Sequence, residues 1–132
     1  MVSAIATANE QLGRDVYAAF SRGDLGALLG MCADEMTFTV QGNVPFAGTY
    51  PKTDFPALIG QVMTLSAGTF SEAIVDLLVS EHRVLAYLDH KLQRNGKAHQ
   101  YFVSHMWTVK DGKFTSWREL PDSVAEFEAI WG

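Results

Sequence analysis

"HMWTVKDGKFTSWRELPD", residues 105–122, carries two strands and the turn that joins them. Asp111-Gly112 is a strong two-residue hairpin signal, because both central positions favour positive φ. So short a turn fixes the register of its strands. With Lys110 opposite Lys113, Ser104 faces Glu119 and Met106 faces Trp117. Asn95-Gly96 repeats the signal one strand earlier. With Arg94 opposite Lys97, Tyr87 faces Ser104, Asp89 faces Phe102 and Leu85 faces Met106. The preceding turn, "SEHR" at 80–83, lacks glycine. Pairing Ser80 with Arg83 sets Asp76 beside Tyr87 and turns Ala73, Val75, Leu77 and Val79 to the other side. The second half therefore reads as a meander of strands at roughly 69–80, 83–94, 97–110 and 113–120.

Upstream of the meander the periodicity changes. Ile5, Ala8, Leu12, Val16, Ala19 and Phe20 recur at steps of three and four, the stripe of an amphipathic helix. Gly23 stops it, and Asp24 caps a second stripe of Leu25, Leu28, Leu29 and Cys32. Met36, Phe38 and Val40 alternate with Thr37, Thr39 and Gln41, a strand. "NVPFAGTYPKTD", 43–54, reads as a loop. Phe55, Leu58, Ile59, Val62 and Met63 form a third helix, with Pro56 tolerated in its first turn. Ser123 and Glu126 stand at capping-box spacing before a closing helix. Helices, a strand, a meander and a final helix make an α+β domain spanning 1–132.

The bulk composition narrows the function classes. Of 132 residues, 48% are apolar and 19% charged, which suits one folded core. Net charge is -5 without a cluster of Lys or Arg, which argues against nucleic acid. No apolar run reaches the roughly 20 residues of a membrane helix, and the N-terminus has no signal-peptide pattern. The single cysteine cannot form an internal disulfide, and a reducing, cytoplasmic location is the default expectation.

The register divides the meander into two faces. One carries Leu85, Met106 and Trp117 in one row, Tyr87, Ser104 and Glu119 in the next, with Asp89 and Phe102 beyond. The other carries Val84, Ala86, Leu88, Val103, Trp107 and Leu120, with His105 beside Arg118. Both are apolar enough to require cover. Apolar walls with a few acids and hydroxyls make the first face the expected pocket for a small apolar ligand. The second, through Trp107, Val103, His105 and Arg118, is the expected homodimer contact. The histidines fall on different rows, so no metal site and no cofactor is expected.

"VYAAFSRGDLGALLGMCADEMTFTV", "PFAGTYPKTDFPALI" and "HMWTVKDGKFTSWRELPD" together resemble the SnoaL-like branch of the nuclear transport factor 2-like superfamily, over nearly the whole chain. The resemblance implies a cone-shaped α+β fold of the cystatin-like kind, with a curved mixed sheet wrapped around N-terminal helices. It also implies a deep apolar pocket and, commonly, a dimer through the outer sheet face. The catalytic groups of ketosteroid isomerases would fall at Val16, Val40 and Ser104, where none of those groups is present. Limonene-epoxide hydrolases are similar around "WRELPD": their two acids would fall at Glu119 and Asp89, and their Asn-X-Pro loop at Asn43-Val44-Pro45. Their arginine is Tyr87 here, and their tyrosine is Gln41. SnoaL-like polyketide cyclases imply a pocket acid on the last strand, at Glu119 or Asp122.

The candidate site follows from both lines. Glu119 is the expected proton-transfer group, since desolvation beside Trp117 and Met106 would raise its pKa. Asp89 is its second acid, roughly 10–12 Å away on a flat sheet. Tyr87, Ser104, Trp117, Met106 and Phe102 would line the pocket, joined by Phe38, Phe20, Met63 and Asn43. The expected function is acid–base isomerisation, cyclisation or hydrolysis of an apolar oxygenated substrate. The alternatives are a ligand-binding module without turnover, or a structural role for the dimer.

Overall fold

The computed structural model describes residues 3–132. Helix α1 (Ala4–Ser21) is followed by α2 (Leu25–Gly30) and strand β1 (Cys32–Val40). Strand β2 (Gly48–Pro51), a single 3₁₀ turn (Lys52–Asp54) and α3 (Phe55–Leu65) come next. The meander is β3 (Ser71–Val79), β4 (Arg83–Arg94), β5 (Lys97–Lys110) and β6 (Lys113–Pro121), closed by α4 (Val124–Trp131). The six strands form one mixed sheet in the order β2-β1-β6-β5-β4-β3, in which β1 and β6 run parallel. The α+β class and the mixed sheet agree with the expectation. Two local readings do not. Cys32 opens β1 instead of ending a helix, and the 43–54 segment contains a short edge strand.

Local chemistry accounts for the element ends. Ser3, Asp24 and Ser123 each accept a hydrogen bond from the backbone N–H three residues on, capping α1, α2 and α4. Asn95 and Asp111 take φ of 53° and 52°, and Gly96 and Gly112 follow at 75° and 74°, the expected two-residue turns. Helix α1 lies close on the sheet at Gly13, where an added Cβ would stand 3.0 Å from Val84 Cγ1. Arg94 Nη1 donates to Ile130 O at 2.9 Å and ties the end of β4 to α4.

The β4–β5 register is the one read from the turn: Tyr87 faces Ser104, Asp89 faces Phe102 and Leu85 faces Met106. The β5–β6 register is not. Val109 pairs with Phe114, but Thr108 pairs with Ser116, so Thr115 is an extra residue in a β-bulge. Beyond it Trp107 faces Trp117, and His105 faces Glu119. A second bulge on β3 leaves Val75 unpaired between Ile74–Leu88 and Asp76–Tyr87, and carries Glu72 opposite His90. Each bulge shifts its strand by one residue and so exchanges its faces. Trp117 and Glu119 join Val84, Ala86, Leu88, Val103 and Trp107 on the buried, concave face that the helices cover. Trp107, Val103 and His105 are therefore interior residues, which corrects their expected place in a dimer contact.

Candidate functional site

A cavity of about 600 Å³, counted out to its mouth, lies between the concave sheet face and the helices. Its walls are largely aromatic: Phe20, Phe46, Phe55, Phe70, Trp107, Trp117 and Trp131 among them. Glu72, His90, His105 and Glu119 make its polar end, with the hydroxyls of Tyr17 and Tyr101 behind the histidines.

Two matching relays build that end. In the first, Trp107 Nε1 donates to Tyr17 Oη at 3.0 Å, and Tyr17 Oη lies 2.7 Å from His105 Nδ1. In the second, Trp131 Nε1 donates to Tyr101 Oη at 2.9 Å, and Tyr101 Oη lies 3.0 Å from His90 Nδ1. Each hydroxyl receives an indole proton, so its own proton goes to the imidazole, the acceptor it has among the described residues. Both rings then carry their proton on Nε2. His90 Nε2 donates to Glu72 Oε2 at 2.8 Å. His105 Nε2 is buried without a partner among the described residues. Burial is the main cause that pushes the Tyr17 and Tyr101 hydroxyls well above the ordinary tyrosine range, and the nearby carboxylates push the same way.

Glu119 stands between the relays. Its Oε1 lies 3.8 Å from His90 Nδ1 and 3.8 Å from His105 Nε2, too far for a hydrogen bond to either. The result is an open carboxylate beside an open N–H, both facing an aromatic cavity. That combination suits moving a proton on a ligand whose oxygen is held.

Of the expected site residues, Glu119, Trp117 and Phe20 line the cavity. Phe38 lies behind the wall, stacked on Phe55 at 4.1 Å, and Met63 is half-buried away from it. Tyr87, Ser104, Met106, Phe102 and Asp89 belong to the opposite, convex face, because the β6 bulge brings Glu119 to their other side. There Tyr87 donates to Asp122 Oδ2 and stacks on Phe102, and Asp89 accepts two bonds from Gln100 Nε2 at 3.0 Å. Asn43 is exposed, its backbone N–H bound to Glu128. Glu72, His90, His105, Tyr17 and Tyr101 were missed. His90, Tyr101 and His105 alternate in phase with Val84, Ala86, Leu88 and Val103. Polar rings on the more apolar face were the legible sign. The two histidines, four residues out of step along neighbouring strands, converge to a ring separation of 5.5 Å. Curvature draws side chains together on the concave side, so flat-sheet rows understate which groups meet.

A family model described as a SnoaL-like domain matches residues 14–117. An uncharacterized protein of Mycobacterium tuberculosis, Rv0034, is 29% identical over 94% of this chain and 96% of its own length. Bal32a, from a soil-derived mobile gene cassette, superposes with a TM-score of 0.90 at 23% identity, covering 97% of this chain and 99% of its own. A putative polyketide cyclase from Xanthomonas campestris pv. campestris superposes at 0.71 with 18% identity, covering 96% and 98%.

Proposed function

Because the chain belongs to the SnoaL-like domain family, with the nuclear transport factor 2-like fold, we propose that its cavity binds a flat, apolar, oxygenated molecule and rearranges it by proton transfer at Glu119. One observation carries the reading. The Glu119 carboxylate, buried and without a hydrogen bond among the described residues, lies 3.8 Å from Nε2 of His105, likewise unpartnered among them, in an aromatic cavity. A ligand carbonyl held by His105 Nε2–H has its α-proton within reach of Glu119. Glu119 takes that proton, and the electron pair of the C–H bond moves into an enolate whose oxygen His105 stabilises. The proton returns at another carbon, giving an isomer. Alternatively the enolate carbon closes on a second carbonyl, whose oxygen takes the proton. Neither route adds or removes atoms, as isomerisation and ring closure require.

The aromatic walls also support a second reading, a binding module of the same fold without turnover. Proton exchange separates the two. With 2-tetralone as a probe in D₂O, the protein should accelerate deuteration of the α-carbon as followed by NMR. Glu119→Gln keeps the side chain's shape and should lower that rate by roughly 10²–10⁴, while tryptophan fluorescence still reports binding. Binding without exchange by the unaltered protein would leave the module reading in place. Equal exchange rates in the two forms would remove Glu119 from the chemistry.

No helix among the described residues is long and apolar enough to cross a membrane. The lone, buried thiol of Cys32 is in keeping with a cytoplasmic setting. A homodimer remains part of the proposal, now through the convex face. Phe102, Leu120 and Leu78 are 37%, 39% and 54% exposed there, and no helix among the described residues covers them.

A further inference from the structure

Glu72, His90 and His105 each bring one ligand atom to a common point, and the three atoms lie within 4.8 Å of one another. We propose that they hold one divalent first-row transition ion. Rows drawn on a flat sheet keep these residues apart; the β3 bulge and the concavity bring them together.

Four observations converge. The donor set of two imidazoles and one carboxylate suits iron, cobalt or zinc better than magnesium or calcium, which favour oxygen. His105 Nε2 is buried, aimed into the cluster and without a partner among the described residues. Glu72 and Glu119 have side chains 8% and 9% exposed, and their ion-pair contacts among the described residues are to histidine alone. Two buried carboxylates with no Lys or Arg beside them call for positive charge. Finally, both imidazoles are held in orientation from behind. Tyr101 and Tyr17 fix the Nδ1 atoms, and the indoles of Trp131 and Trp107 fix the hydroxyls. The rings are thereby set with Nε2 toward the cavity.

The proton balance closes. In the metal-free form His90 Nε2–H donates to Glu72. When an ion takes both Nε2 atoms, each ring moves its proton to Nδ1 and donates to the second lone pair of the tyrosine oxygen, and the tyrosine O–H, which keeps its proton, must rotate away from the ring. No net proton is gained or lost by the rings. Glu119, outside the triad and 3.8 Å from His105, stays free. An ion on His105 Nε2 removes the N–H that the proton-transfer reading uses, so that reading belongs to the metal-free chain; metal uptake is measured without any substrate, and its failure leaves that reading intact.

The test uses the metal-stripped full chain and Co²⁺. The expected result is ligand-field absorption in the visible that saturates at one Co²⁺ per chain, is displaced by Zn²⁺ and does not respond to Mg²⁺. His105→Gln and Glu72→Gln should weaken binding by more than about 100-fold. Tyr17→Phe should weaken it by roughly 10–100-fold, the usual effect of losing a supporting residue. His82→Gln, in an exposed turn, should bind as the unaltered chain does. Circular dichroism establishes that each variant is folded. If one is not, the unaltered chain decides: no saturable Co²⁺ uptake overturns the proposal. So does uptake that survives His105→Gln or is lost in His82→Gln.

Discussion

Cys32 and Glu119 are both buried, in β1 and β6, and for Cys32 burial disfavours the ionised form. For the thiol it is the largest cause, pushing the pKa from 9.0 up to about 11. The consequence for stability has a definite sign. The unfolded thiol begins to ionise near its ordinary value of 9.0, while the folded one holds its proton until about 11. Through that window the unfolded state binds fewer protons, so stability falls as pH rises. Urea unfolding at pH 8 and pH 10.5 should show the native chain losing on the order of 1–2 kcal/mol more than Cys32→Ala over the same interval. Identical pH dependence in both forms would mean that the thiol is not held protonated by the fold. Glu119 is open where Cys32 is closed in: the thiol is packed in the core and donates to Leu28 O, whereas the carboxylate faces the cavity. That difference makes one a packing residue and the other a candidate base.

Both pocket acids owe their place to bulges, and a bulge residue is the one position in a strand without a cross-strand partner. On β6 that residue is Thr115. Its deletion should leave regular pairing from Val109–Phe114 directly to Thr108–Ser116, with Trp117 and Glu119 still facing inward. Deletion of Arg118 removes a residue paired with Met106 and turns Glu119 to the convex face, bringing Leu120 inward in its place. Thermal unfolding should therefore show a modest loss for the Thr115 deletion. The Arg118 deletion should collapse near-ultraviolet dichroism or fail to fold. If the Thr115 deletion proves the worse, the bulge is a structural necessity in its own right. The turn signals at Asn95-Gly96 and Asp111-Gly112 were legible because two-residue hairpins demand particular residue types. The bulges were not, because "KFTSW" contains no glycine or proline to mark an extra residue.

At the scale of the molecule, the sheet has one face committed to the cavity and one left to solvent or a partner. The convex face carries Leu78, Leu85, Phe102, Met106 and Leu120, with Phe102 and Leu120 more than a third exposed. A homodimer through this face should sediment as such at micromolar concentration, and Phe102→Glu should shift it to monomer without loss of ligand-dependent fluorescence in the cavity. A native chain that sediments as a monomer would set the dimer aside. The cavity and this face lie on opposite sides of one sheet, so a charge added at Phe102 has no direct path to Glu119.

Periodicity and capping, which are local, were enough to determine the helices, the strands apart from β2 and the start of β1, the two glycine turns, the β4–β5 register and the α+β class. They were enough because helix stripes, N-caps and positive φ are properties of a few neighbouring residues. Which face of the meander lines the cavity was decided by the tertiary structure alone. Thr115 and Val75 each displace the alternation by one residue, and a one-residue displacement reverses every side chain beyond it. The meeting of Glu72, His90, His105 and Glu119 was likewise decided there, since it depends on sheet curvature and on which side the helices cover. Both arise from packing the whole chain around one core, and neither is encoded in any short stretch of it.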